Sequence, residues 1–95
     1  MKIQIESLGL PTLSMLIGKK SQLEMTDGTL SDLVAYIVNR HGPKAGKILL
    51  DQEGLLDITI QVMINDEGFL SRDEYSHRLL KEGDSVKFML LVGGG

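Results

Sequence analysis

Leu80-Lys81-Glu82-Gly83-Asp84-Ser85-Val86-Lys87-Phe88-Met89-Leu90-Leu91-Val92-Gly93-Gly94-Gly95 is the stretch on which the fold turns. Gly83-Asp84 is turn chemistry: glycine reaches positive φ without steric cost, and an Asp carboxylate bonds nearby amides. From Ser85 the residues alternate. Val86, Phe88 and Leu90 share one face, and Ser85, Lys87, Met89 and Leu91 share the other, the period of two of a strand. Three glycines follow directly. Without side chains they can thread a narrow channel and present a carboxylate to a deeply placed reagent. A frayed end and a cloning scar are the other readings of such a terminus.

Upstream, Ile58 to Asn65 alternates strictly, with Ile58, Ile60, Val62 and Ile64 against Thr59, Gln61, Met63 and Asn65. This predicts a second strand, closed by the turn residues Asn65-Asp66-Glu67-Gly68. Phe69-Leu70 is the start of a short edge strand. Ser71 to Glu82 is polar and irregular, with Leu79 and Leu80 as its anchors. At the other end, Lys2 to Leu8 sets Ile3 and Ile5 against Lys2, Gln4 and Glu6, a strand broken by Gly9 and Pro11. Leu10 to Ile17 has no clear period and reads as an ordered loop with one helical turn. Ser21 to Met25 alternates again, with Leu23 and Met25 on one side.

Thr29 to His41 is the clearest helix. Leu30, Leu33, Val34, Ile37 and Val38 make one apolar stripe at helical spacing. Thr29 is a good N-cap, and Asp32 takes the third-position place of a capping box with a shorter reach than Glu. Gly42 and Pro43 stop the helix. Within Lys44 to Asp57, Ala45, Ile48 and Leu49 fit a short second helix, which Gly54 would interrupt. One helix covering two N-terminal strands and a later strand group is an α+β roll.

The chain has 95 residues, 10 Lys+Arg against 13 Asp+Glu, and 42% hydrophobic residues, the profile of one small globular domain. A net charge of −3 argues against a protein that neutralises nucleic-acid phosphates or anionic lipid. With no Cys and 2 His, a disulfide scaffold, a thiolate zinc site, a cysteine nucleophile and a His-rich metal cluster are excluded. No apolar run is long enough to span a membrane. The first residues lack a signal-peptide core, so the expected location is the cytoplasm. His41 reads as a helix-end residue and His77 as a lone loop histidine, with no Ser or Asp constellation for a hydrolytic triad. No Walker or dinucleotide glycine pattern occurs.

These features in this order resemble the MoaD/ThiS family of β-grasp, ubiquitin-like sulfur carriers. The residues that carry the resemblance are Thr29 with Leu33, Ile64-Asn65-Asp66-Glu67, Leu80-Lys81-Glu82-Gly83-Asp84-Ser85-Val86, and Gly94-Gly95. The chain departs from the family where Met89-Leu90-Leu91 replaces an aromatic and prolines, where Asp66 replaces Gly, and in a longer 44–57 stretch. The resemblance implies a β-grasp roll over 1–92, a mixed four- to five-stranded sheet covered by one main helix. It implies a flexible tail at 93–95, Gly93 and Gly94 leading to Gly95. It further implies that an E1-like adenylating enzyme uses ATP and Mg to activate the Gly95 carboxylate. A persulfide sulfur donor then converts it to a thiocarboxylate. That group donates sulfur in molybdopterin, thiamine-like or cysteine biosynthesis. The chain would be a co-substrate, with no catalytic residue, bound cofactor or metal of its own. A synthase large subunit is a further implied partner. Lys87, Met89 and Leu91 form the expected partner-binding face, unless the 44–57 segment covers it. Two other readings share the fold: a modifier joined through Gly95 to lysines, and a non-covalent interaction subunit.

Overall fold

The computed structural model describes residues 1–90; Leu91 and the tail residues Gly93, Gly94 and Gly95 lie outside the described residues. In chain order the elements are β1 (Lys2–Leu8), α1 (Pro11–Ile17), β2 (Lys20–Glu24), α2 (Leu30–His41), α3 (Pro43–Leu49), β3 (Ile60–Ile64), a 3-10 turn at Arg72–Glu74, and β4 (Ser85–Leu90).

The capping box forms in full. The Thr29 amide donates to Asp32 Oδ2 at 2.9 Å and the Asp32 amide donates to Thr29 Oγ1 at 3.3 Å. Asp therefore reaches as Glu would, and it places a negative charge at the positive end of the helix dipole. Leu30, Leu33, Val34 and Ile37 are buried as the stripe predicts. Gly42 ends α2 at φ +81°, its amide donating to Val38 O. Pro43 then starts α3, where the missing N–H costs nothing. Ala45 and Leu49 are fully buried there.

The four strands form one sheet in the order β2-β1-β4-β3. β1 and β4 run parallel at the centre; the two flanking pairs are antiparallel. Ile3, Ile5, Ile60, Val62, Ile64, Val86 and Phe88 face the helices and are buried. This is the β-grasp roll the sequence suggests, with four strands.

Several sequence-based expectations change. Leu10 to Ile17 contains a true helix, because Pro11 fixes φ at its first turn and Leu13 is fully buried. The segment is too short to display a helical period. β3 begins at Ile60, and Ile58 is 69% exposed. The cause lies just upstream: the Asp57 carboxylate accepts from Thr59 N at 2.9 Å and Thr59 Oγ1 at 2.6 Å, closing a turn. Those bonds hold the Asp57 carboxyl below its ordinary range. Of the two expected anchors only Leu80 is buried; Leu79 is 65% exposed. Its place is taken by Leu70 and by Tyr75, whose ring packs in the core. Phe69-Leu70 makes a single bridge to β3 in place of a strand.

Candidate functional site

Alternation along β4 sets Lys87 and Met89 on the sheet face that points away from the helices, and both are half-buried. The neighbours on that face follow from register. Met89 lies opposite Leu8 of β1 and Gln61 of β3. Lys87 lies opposite Glu6 and Met63, and Phe69 in turn bridges Met63. Residues directly opposite in adjacent strands have touching side chains. The face is thus an apolar patch of Leu8, Met63, Phe69 and Met89, set beside Glu6, Lys87 and Asp66. Phe69 is 56% exposed and Leu8 40%.

α3 packs on α1 and α2. The 43–49 helix therefore sits on the helical layer and leaves this sheet face open. Of the expected partner-binding residues, the structure brings Lys87 and Met89 together on this face. Leu91 falls outside the described residues, as do Gly93, Gly94 and Gly95.

Two motifs far apart in sequence hold the face in shape. Asn65 Nδ2 donates to Asp84 Oδ1 at 2.8 Å, and the Ser85 amide donates to Asn65 Oδ1 at 2.8 Å. The second Asp84 oxygen accepts from the Lys81 amide at 2.8 Å. The Gly83-Asp84 turn is also sewn to β1, by Gly83 N to Lys2 O and Gln4 N to Asp84 O. Asn65 and Asp66 both take positive φ, 52° and 58°, the geometry of a two-residue hairpin turn. That turn carries the Asp66 carboxylate to the Lys87 ammonium, with which it forms an ion pair. The hydrogen bond to Asp66 holds the Lys87 pKa above its ordinary value. The pair sets an ammonium and a carboxylate side by side on the open face, with Glu6 opposite Lys87.

Leu8, Met63 and Phe69 were not placed on this face from sequence, and Asp66 was named only as a turn residue. A signal was present: Leu8 and Met63 fall on the polar side of their strands' alternation, where an apolar residue breaks the pattern. Phe69 had none, since its place depends on the hairpin return.

The remaining chemistry is sparse. Among the described residues no three His, Asp or Glu side chains converge as a metal site. His41 sits in the last turn of α2 and His77 on an exposed loop. A cavity of about 390 Å³ opens between α2, the 50–56 loop and the 3-10 turn, lined by Val34, Leu55, Arg72 and Tyr75 among others. Among the described residues no helix is long and apolar enough to cross a membrane.

No family model matches the chain. No curated protein matches it either. Solved structures do. SAMP1 from Haloferax volcanii is 18% identical over 100% of both chains, with a TM-score of 0.77. A putative molybdopterin converting factor, subunit 1, from Pyrococcus furiosus is 21% identical over 97% of this chain and 99% of that one, with a TM-score of 0.67. A chain of the Amycolatopsis orientalis BexX/CysO complex is 20% identical over 98% of this chain and 99% of that one, also at 0.67. The fold is the ubiquitin-like β-grasp, which these structures share.

Proposed function

We propose that this chain is a sulfur carrier whose Gly95 carboxylate is the working group. One observation carries the reading: the open apolar face, with Met89 and Leu8 opposite each other, lies at the end of β4 from which the chain runs on to the glycines. A docking face would then lie on the strand that leads, in sequence, to the working carboxylate. Exposed apolar patches with polar rims are partner sites, and methionine adapts to partners of different shape.

The chemistry follows from a carboxylate's low electrophilicity. A carboxylate oxygen of Gly95 attacks the α-phosphorus of Mg-bound ATP on an E1-like enzyme, and pyrophosphate leaves. A donor persulfide sulfur attacks the acyl carbon, and AMP leaves with the former carboxylate oxygen. A second thiol cleaves the resulting acyl disulfide, leaving a thiocarboxylate on Gly95 and a new disulfide on the donor side. Catalysis here is positioning and charge stabilisation by the partner and its metal. This chain supplies the docking face and the terminus, in the cytoplasm. The thiocarboxylate serves cofactor synthesis of the molybdopterin or thiamine type, or cysteine synthesis. The molybdopterin name on one structural neighbour and the two-protein complex of another support a role with partners.

The test is the intact mass of the protein after incubation with an E1-like enzyme, ATP and a persulfide donor. Replacement of one oxygen by sulfur, mapped to Gly95, is the expected result. An unchanged carboxylate, with the same enzymes shown active on another carrier, overturns it. A second reading has its own support, since structures of small archaeal modifier protein 1 share the fold. In that reading Gly95 joins lysine side chains, and conjugates removable by an isopeptidase would mark it.

A further inference from the structure

The two edges of the sheet are not equivalent. On β3, three of the groups that point away from the sheet are met by the chain itself. Ile60 N donates to Asp57 O, Val62 O accepts from Leu70 N, and Ile64 O accepts from Glu67 N. The Asp57 turn and the 67–70 return thus occupy part of that edge.

On β2 the parity is fixed by two bonds, Ser7 N to Lys19 O and Met25 N to Met1 O. With the register Ile3↔Leu23 and Ile5↔Ser21, the odd residues of β2 bond to β1. The N–H and C=O groups of Lys20, Gln22 and Glu24 therefore point outward. Among the described residues nothing bonds to them. Such an edge is a template for another strand.

The sequence of this edge selects the strand. Lys20-Ser21-Gln22-Leu23-Glu24 is complementary to itself when antiparallel. With Gln22 opposite Gln22 of a second copy, each Lys20 faces the other copy's Glu24. All three pairs then fall at hydrogen-bonding positions, each exchanging both N–H···O bonds. Parallel pairing would set lysine on lysine. On the helix side of the strand, a shallow groove of about 180 Å³ lined by Leu16, Ile17, Leu23 and Tyr36 runs along the same edge. Ser21 of one copy would face Leu23 of the other there, covering half-exposed apolar surface.

We propose that β2 pairs with β2 of a second copy of this chain, making one continuous eight-stranded sheet across a two-fold axis. The interface is isologous, as a closed dimer requires. It leaves the outer face around Met89 and the end of β4 free on both copies.

Charge reversal tests it, read by sedimentation of the full chain over a concentration series up to about 1 mM, the range a small interface demands. The wild type dimerises with concentration. Lys20→Glu alone sets glutamates on glutamates and stays monomeric; Glu24→Lys alone sets lysines on lysines and stays monomeric. Mixed together, the two variants regain both ion pairs, and the heterodimer returns. Gln22→Pro removes only an outward N–H, so the sheet survives and the dimer is lost. Far-ultraviolet circular dichroism confirms that each variant is folded. A wild type monomeric throughout the series, or a mixture that fails to complement, overturns the proposal. An edge that binds only a foreign extended peptide is revealed by that monomeric wild type.

Discussion

The Asn65 carboxamide is gripped at both ends by the segment that enters β4: its Nδ2 donates to Asp84 Oδ1 and its Oδ1 accepts from the Ser85 amide, each at 2.8 Å. The two residues stand 19 positions apart. They join the hairpin after β3 to the turn before β4, and so hold the strand that leads to the tail. Asn suits the role twice, since it also tolerates the φ of +52° that the turn imposes.

Asp84→Ala removes the buried carboxylate that accepts from the Asn65 side-chain amide and from the Lys81 N–H. A loss of about 1–3 kcal/mol is expected from denaturant unfolding. Asn65→Ala removes the same link from the other side. The double variant should therefore lose clearly less than the two single losses summed. Strict additivity would show that the clamp contributes nothing as a unit.

Phe88 and Val62 lie opposite each other, both fully buried. Phe88→Ala should cost about 3–5 kcal/mol and Ile60→Ala about 2–5 kcal/mol. By contrast Ile58→Ala and Leu79→Ala should change stability by no more than about 0.5 kcal/mol, because both side chains are largely in solvent. Urea midpoints of the four variants decide the matter. A large loss at Ile58 would restore it to the core strand.

Met89→Asp and Phe69→Asp put charges on the open face without touching the core. Each should weaken binding to the activating enzyme, at least tenfold by titration calorimetry, with little change in the unfolding midpoint. Equal binding by both variants would remove this face from the docking surface.

Burial holds the Tyr75 hydroxyl above the ordinary tyrosine value of 10.0, outweighing the nearby Arg72 charge. The sign follows. A group whose pKa is raised in the folded state lends stability that is complete below its unfolded pKa and is lost as pH rises through the folded one. Unfolding midpoints should therefore fall above about pH 10, and Tyr75→Phe should reduce that fall. Phenolate absorbance in a Tyr36→Phe background checks the cause directly: Tyr75 should ionise later than free tyrosine.

Lys20→Glu mixed with Glu24→Lys is the sharpest test of the free edge. Lys20 also faces Glu6, and Glu24 faces Lys2, within one copy. Each single variant should thus be slightly less stable than the wild type, by about 0.2–1 kcal/mol. Dimer recovery in the mixture cannot arise from that intramolecular loss.

The amino-acid sequence by itself determined the local elements. The stripe from Leu30 to Val38, the Thr29–Asp32 cap, the Gly42-Pro43 stop and the alternation through Val86 and Phe88 act between residues near in the chain, so periodicity and capping display them. It did not show the α1 helix, where Pro11 and one buried leucine do the work of a period too short to read. It also overextended β3, because the Asp57–Thr59 bonds interrupt an alternation that continues in letters only. Tertiary structure alone decided which strands are neighbours, that Asn65 meets Asp84, and that Leu8, Met63 and Phe69 join Met89 on one face. It also decided that the 67–70 return covers part of the β3 edge while the β2 edge stays open. Those facts depend on register between distant segments. Register is set when the whole core is buried at once, and no single stretch of sequence contains that information.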